Sequence, residues 1–132
     1  MNPVWIRQER ARLRRSLLGV LLGLGFIAGA SDARIVESDL LIEERTVEIA
    51  GHPIRALTMN GQIPAPTLRW REGDVARIRV HNAVDKSASV HWHGLLPPNG
   101  QDGVPGVTNT PIEPGTTHVF EFPLRQSGTY WY

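Results

Sequence analysis

The run Val75-Ala76-Arg77-Ile78-Arg79-Val80 decides the fold class of this chain. Its even-numbered residues are apolar and two of its odd-numbered ones are arginine, which is the period of a β-strand with one buried face and one wet face. Phe120 and Phe122 repeat this alternation, and residues 40–49 mix apolar residues with acids in a similar way. Because no stretch from Ile35 onward holds a helical period, we predict an all-β domain built from antiparallel strands.

Residues that favour turns separate these runs. Glycine supplies positive φ and proline supplies a fixed φ at the points where a chain reverses. Short strands divided in this way predict a β-sandwich. About a hundred residues follow position 30, which suffices for one small domain over residues 31–132. The main turn sequences are Asn60-Gly61, Glu72-Gly73-Asp74, Pro97-Pro98-Asn99-Gly100, Pro105-Gly106 and Pro114-Gly115.

The first thirty residues have the order of an export signal. Residues 1–15 are basic, residues 17–30 are apolar, and Ala28-Gly29-Ala30 offers the small side chains that a signal peptidase accepts. The apolar part is shorter than the roughly 20 residues of a membrane-spanning helix, so we expect no permanent membrane anchor. The pair Arg14-Arg15 partly matches a twin-arginine signal, although an ordinary secretory signal remains open. Both routes predict a periplasmic protein.

Composition excludes several classes of function. The chain has no cysteine, which rules out disulfides, thiolate zinc sites and the His2Cys ligand set of blue-copper centres within it. Beyond residue 30 there are nine basic and twelve acidic side chains, a formal charge of −3. This balance provides no basic surface for a phosphate backbone, so we expect no nucleic-acid partner.

The stretch Val90-His91-Trp92-His93-Gly94 contains the residues most suited to bind a metal ion. In an extended chain His91 and His93 project to one face, while Trp92 projects to the other. Two neutral imidazoles on one face suit copper or zinc. Histidines at this spacing also occur by chance on exposed strands, so the motif alone leaves a solvated surface as an alternative.

The context of this motif resembles a known family. From residue 43 to residue 132 the order of the motifs is similar to that of the multicopper oxidases, most closely their bacterial copper-resistance subgroup. Residues 59–74 look like the first strand pair of the family, and residues 91–94 look like its first copper motif. The other supporting stretches are Asp102-Gly103-Val104-Pro105-Gly106-Val107, Ile112-Glu113-Pro114-Gly115 and Gly128-Thr129-Tyr130-Trp131-Tyr132.

The resemblance implies a role for three residues. In the family the first histidine of the H-x-H-G motif ligates the type 2 copper and the second ligates a type 3 copper, which implies these roles for His91 and His93. Asp102 matches an acidic residue just outside the trinuclear cluster that assists proton delivery. Its simpler interpretation, a turn residue before Gly103, stays open.

The other histidines and aromatic residues have structural interpretations. We expect His52 in a turn, His81 at the end of a strand and His118 at the start of one, all structural or solvated rather than copper ligands. Sandwich cores are rich in aromatic rings, which favours packing over a redox relay. We therefore expect core positions for Trp92, Tyr130 and Trp131.

The resemblance further implies a Greek-key β-sandwich of the cupredoxin, or plastocyanin-like, type. The complete protein is expected to oxidise Cu(I) or an organic substrate in the periplasm and to reduce O2 to water. Family members continue from a Thr-Tyr-Trp-Tyr sequence into a second H-x-H pair, whereas this sequence stops at Tyr132. We therefore expect a domain that is incomplete at its C-terminus, that binds copper and that is inactive as an oxidase alone.

The sequence is also compatible with two other functions. A free-standing periplasmic module could bind copper through His91 and His93 without catalysis. A zinc hydrolase could also begin with an H-x-H pair, but no third ligand or general base at suitable spacing is evident.

Overall fold

The computed structural model describes residues 32–132, which form four β-strands and one short 3-10 helix. The strands are β1 (Ile35–Ile49), β2 (His52–Met59), β3 (Val75–Asn82) and β4 (Thr117–Pro123), and the 3-10 helix is Asn99–Gln101. The prediction of an all-β domain is confirmed for this part of the chain. The predicted export signal, residues 1–30, lies outside the described residues. Within residues 32–132, no helix has the length and apolar character needed to cross a membrane.

The four strands form one sheet in the order β2-β1-β3-β4. β1 pairs antiparallel with β2, and β3 pairs antiparallel with β4. The central pair differs, because β1 and β3 run parallel in the register Ile35↔Val75 to Ile42↔Asn82. The prediction of antiparallel strands is therefore wrong for this pair. An alternating sequence indicates which face of a strand is buried, and it holds no information on the direction of the neighbouring strand.

The connection between β2 and β3 explains the parallel pair. Residues 60–74 contain only turns and irregular chain, apart from a bridge between Met59 and Gln62. They carry the chain from the end of β2 back to the start of β1, so that β3 enters beside Ile35. The expectation that residues 59–74 form a strand pair is wrong. The first strand pair is the β1–β2 hairpin, which uses Ile42–Ile49 of β1.

The core lies on one face of this sheet. In β3 the even-numbered residues Ala76, Ile78 and Val80 are fully buried, and the odd-numbered residues between them are partly exposed, as the sequence pattern predicts. Phe120 and Phe122 extend the buried face onto β4. The opposite layer is irregular chain, and it contributes the buried side chains Val90, Trp92 and Ile112.

Asn82, at the end of β3, ties this irregular layer to the sheet. Its side chain is fully buried, and Nδ2 donates to the carbonyl oxygens of Lys86 and Ile112, each at 2.8 Å. Its Oδ1 accepts from the main-chain N–H of Val84 at 3.1 Å. Ala88 and Ile112 then form a two-way bridge. These bonds fix the start of the segment that leads to the histidine motif.

Candidate metal centre

His91 and His93 flank a tryptophan that anchors their segment in the core. Trp92 is 1% exposed, and its ring lies 5.3 Å from that of Phe120 and 5.6 Å from that of Phe122, measured between centroids. Because side chains alternate along extended chain, the buried indole directs both imidazoles outward. Both histidines are exposed, with ring centroids 5.9 Å apart. The arrangement that the motif predicts is thus present, although only His93 takes part in a β-bridge.

The ring of His91 is held by the main chain of Asp102. Its Nδ1 lies 2.7 Å from the carbonyl oxygen of Asp102. A carbonyl only accepts hydrogen bonds, so in the neutral ring Nδ1 carries the proton and Nε2 keeps its lone pair. The Asp102 carboxylate oxygen Oδ1 is 3.5 Å from the same Nδ1. Asp102 therefore orients His91 and leaves the lone pair of Nε2 free, and metal-binding histidines are usually oriented by such a partner.

Gly103 makes the approach of Asp102 to His91 possible. Its φ is +79°, and a Cβ on this residue would lie 1.7 Å from the carbonyl oxygen of Val90. The hydroxyl of Ser89 donates to the Gly103 carbonyl oxygen at 2.5 Å. Only a residue without a side chain fits this contact between the loop and the histidine segment. In the sequence Gly103 is one residue of the stretch Asp102–Val107 that carries the family resemblance, and its packing role is visible only in three dimensions.

His93 is held differently, by an aromatic contact. The Trp131 indole meets the His93 imidazole edge to face, with centroids 4.8 Å apart, and the His93 N–H donates to the Trp131 carbonyl oxygen at 3.0 Å. Trp131 is 68% exposed and Tyr130 is 38% exposed, so the expectation that both are core residues is wrong. The inward position belongs to Tyr132, whose ring lies 5.7 Å from that of Trp92.

The remaining histidines take separate positions. His52 is exposed and begins β2, so the expectation of a turn there is wrong. His81, next to the last residue of β3, bonds through Nδ1 to the Thr117 hydroxyl at 2.9 Å. His118, the second residue of β4, packs on Phe120 with centroids 4.4 Å apart. These contacts agree with structural or solvated roles.

The described residues provide some, but not all, of the donor atoms that a copper site needs. His91 and His93 offer two imidazoles on one exposed face. Within residues 32–132 no group of three or more His, Cys, Asp or Glu side chains is placed to hold a metal. Copper(II) prefers about four nitrogen or oxygen donors. This part of the chain thus offers two candidate imidazole donors, and a complete copper site would need further donors from water or from other residues.

Known proteins share this fold and sequence. The family model "Multicopper oxidase" matches residues 41–132. The chain belongs to the multicopper oxidase family. Two relatives carry the name copper resistance protein A. That of Pseudomonas syringae pv. tomato is 45% identical over 86% of this chain and 20% of its own length, and that of Escherichia coli is 44% identical over 98% and 19%.

A solved multicopper oxidase supports the fold assignment. The crystal structure of the enzyme from Pseudomonas thermotolerans matches with a TM-score of 0.72 and 34% identity, over 76% of this chain and 25% of that one. The predicted cupredoxin-type fold and the predicted likeness to the copper-resistance subgroup are therefore confirmed. The chain spans about a fifth of the length of the two copper resistance proteins it matches.

Proposed function

We propose that this chain is the copper-ligating N-terminal cupredoxin domain of a periplasmic multicopper oxidase. In this proposal His91 is a ligand of the type 2 copper and His93 is a ligand of a type 3 copper. Copper bound there, together with ligands from other parts of the complete protein, supplies the redox chemistry that reduces O2 to water. The reducing substrate is Cu(I) or an organic molecule, and the names of the copper resistance proteins favour Cu(I).

The single observation that carries the proposal is the orientation of His91. A solvated surface histidine has no need of a fixed tautomer, whereas the Nδ1–H of this ring donates a hydrogen bond to the Asp102 carbonyl oxygen at 2.7 Å. Nε2 is then the only ring atom with a free lone pair. His93 projects to the same side of the segment. Two imidazoles presented in this way are suited to bind metal.

Asp102 has a second task in the proposed function. Reduction of O2 to water consumes protons, and a carboxylate near the ligands can hold and release them. The Asp102 side chain is 28% exposed, and its Oδ1 lies 3.5 Å from Nδ1 of His91. It can therefore exchange protons with solvent on one side while remaining next to the ligand ring on the other.

A stand-alone copper-binding module is the second candidate function. It is favoured by the exposure of both imidazoles in the part of the chain that the structure describes. In that case the chain sequesters or delivers copper without catalysis. The two candidates differ in oxygen consumption, which requires the further ligands and the type 1 site of a complete oxidase.

A copper titration with matched histidine variants tests the site. We expect the purified chain to bind no more than about one copper(II), weakly, because only two protein ligands are available. His91→Ala and His93→Ala should each remove most binding, while His52→Ala, which also removes an exposed histidine, should leave it unchanged. Equal loss of copper in the His52→Ala variant would contradict the assignment. Binding should also weaken in acid, because protons compete with copper for imidazole nitrogen.

An oxygen electrode separates the two candidate functions. A full-length protein that contains this domain, reduced with Cu(I), should consume O2, and His91→Ala in it should abolish the consumption. If the full-length protein binds copper through His91 and His93 but consumes no O2 with Cu(I) or organic donors, the stand-alone role is favoured.

A further inference from the structure

The loop that carries Asp102 is held on both sides by one side chain, that of Asn109. Nδ2 of Asn109 donates to the carbonyl oxygen of Gly100 at 2.8 Å. Oδ1 of Asn109 accepts from the main-chain N–H of Gly103 at 2.7 Å. Asp102 lies between these two contacts in the sequence. The amide group therefore joins the two arms of the loop whose apex orients His91.

Asn109 is itself fixed in direction. The Thr108 hydroxyl lies 3.0 Å from Asn109 Oδ1, and the Asn109 carbonyl oxygen accepts from the N–H of Gly106 at 2.9 Å. The Asn109 N–H donates to the Val104 carbonyl oxygen at 3.2 Å. An amide needs a donor and an acceptor end in fixed places to make both loop contacts, and these main-chain bonds hold it there.

We propose that Asn109 is a positioning residue for the metal site, acting through the Asp102 carbonyl on the tautomer of His91. If the loop relaxes, the Asp102 carbonyl oxygen leaves Nδ1 of His91, and the ring can then place its proton on either nitrogen. A ring with its proton on Nε2 cannot offer that atom to a metal. Asn109 thus keeps the ligand atom free without contacting metal or imidazole. The consequence for copper rests on the proposed function, but the tautomer itself does not.

Asn60 offers a matched control for this idea. It also holds main chain with both ends of its amide, since Nδ2 donates to the Asp39 carbonyl oxygen at 2.9 Å and Oδ1 accepts from the Leu41 N–H at 2.6 Å. Its contacts lie at the β1–β2 sheet region rather than at the histidine loop. Asn→Asp at either position keeps the acceptor, loses the donor and sets a carboxylate against a carbonyl oxygen.

The test compares Asn109→Asp, Asn109→Ala and Asn60→Asp in the full chain, first without metal. Long-range 1H–15N spectra of histidine-labelled protein distinguish protonated from bare ring nitrogens. We expect wild type and Asn60→Asp to show His91 with its proton on Nδ1. Both Asn109 variants should show a mixture of tautomers at His91 and unchanged signals from His93. Thermal unfolding of each variant reports whether the fold is intact.

Copper titration then gives the consequence at the site. Loss of a partner that orients a metal ligand weakens binding by about 10–100-fold, and we expect about tenfold for Asn109→Asp. An unchanged His91 tautomer in both folded Asn109 variants would overturn the inference, and so would an equal change in Asn60→Asp. Absence of copper binding by wild type would instead count against the proposed function, since the tautomer measurement needs no metal.

Discussion

The indole of Trp131 meets the imidazole of His93 edge to face, with ring centroids 4.8 Å apart. His91, by contrast, is oriented by a hydrogen bond to Asp102. The two candidate ligands are thus held by different physical means. An aromatic pair fixes the plane of a ring but leaves both of its nitrogens free, whereas a hydrogen bond to a carbonyl also selects the tautomer.

The first prediction concerns this aromatic contact. Trp131→Ala should weaken copper binding by no more than about tenfold, because an edge-to-face pair is worth roughly 0.5–1.5 kcal/mol. Trp131→Phe should retain most of the affinity. Stability should change little, since Trp131 is 68% exposed. Isothermal titration measures the effect, and Leu96→Ala, which removes another exposed apolar side chain, is the control. A Trp131→Ala variant with wild-type affinity would show that the contact does not matter.

The second prediction separates the cost of a left-handed backbone from the cost of steric overlap at two glycines. Gly103 and Gly106 both have positive φ, +79° and +74°, but only Gly103 faces backbone within reach of a Cβ. Gly106→Ala should cost about 1–2 kcal/mol for the left-handed conformation. Gly103→Ala should cost a further 1–3 kcal/mol, approximately, because the methyl group overlaps the Val90 carbonyl oxygen. Urea unfolding compares the two, and equal losses would mean that the loop can move away at no cost.

The third prediction concerns the core aromatic between the two histidines. Trp92→Ala should lower the free energy of unfolding by roughly 3–5 kcal/mol, a large part of the stability of a small domain. Trp92→Phe should cost less, because the Trp92 Nε1–H is buried with no hydrogen-bond partner in the described part of the chain. Trp131→Ala, an exposed indole, is the control. Chemical denaturation that ranks Trp131→Ala above Trp92→Ala in cost would contradict this account.

Local patterns in the sequence are enough to predict which β3 residues form the core and which way the side chains of the histidine motif point. Alternation placed Ala76, Ile78 and Val80 inside, and it placed Trp92 between two outward imidazoles. The parallel pairing of β1 with β3 could not be predicted in this way, because strand direction depends on the path of residues 60–74 and not on periodicity.

Contacts between distant residues explain the other errors. The richness of sandwich cores in aromatic rings predicts a core position for Trp131, but in the structure Tyr132 lies inward and Trp131 packs against His93. The positions of Gly103 and Asn109 around Asp102 also depend on how a loop folds back onto residues 89–91. A turn sequence indicates that the chain reverses, and it does not indicate what the turn touches.

The outer face of the sheet carries a charged network that should respond to pH. Arg79 bonds to Asp39 at 2.6 Å and to Glu37 at 3.2 Å, and Arg77 bonds to Glu37 at 3.3 Å. Hydrogen bonds from Arg79 and Arg77 hold the pKa of Glu37 below its ordinary value of 4.5. A hydrogen bond from Arg79 likewise holds the pKa of Asp39 below its ordinary value of 3.8. A carboxyl group with a lowered pKa in the folded state stabilises the fold above its unfolded pKa, and this contribution disappears as the pH falls through the folded pKa.

The fourth prediction follows from this sign. Between about pH 6 and about pH 3 the unfolding temperature of wild type should fall, and Arg79→Gln should reduce the size of that fall because it removes the partner of Asp39 and Glu37. The effect should be modest and weaker in high salt, since these groups are exposed to solvent. Arg125→Gln is the control, because Arg125 forms no ion pair within residues 32–132. If Arg79→Gln and Arg125→Gln follow the same pH curve as wild type, the network does not contribute to stability.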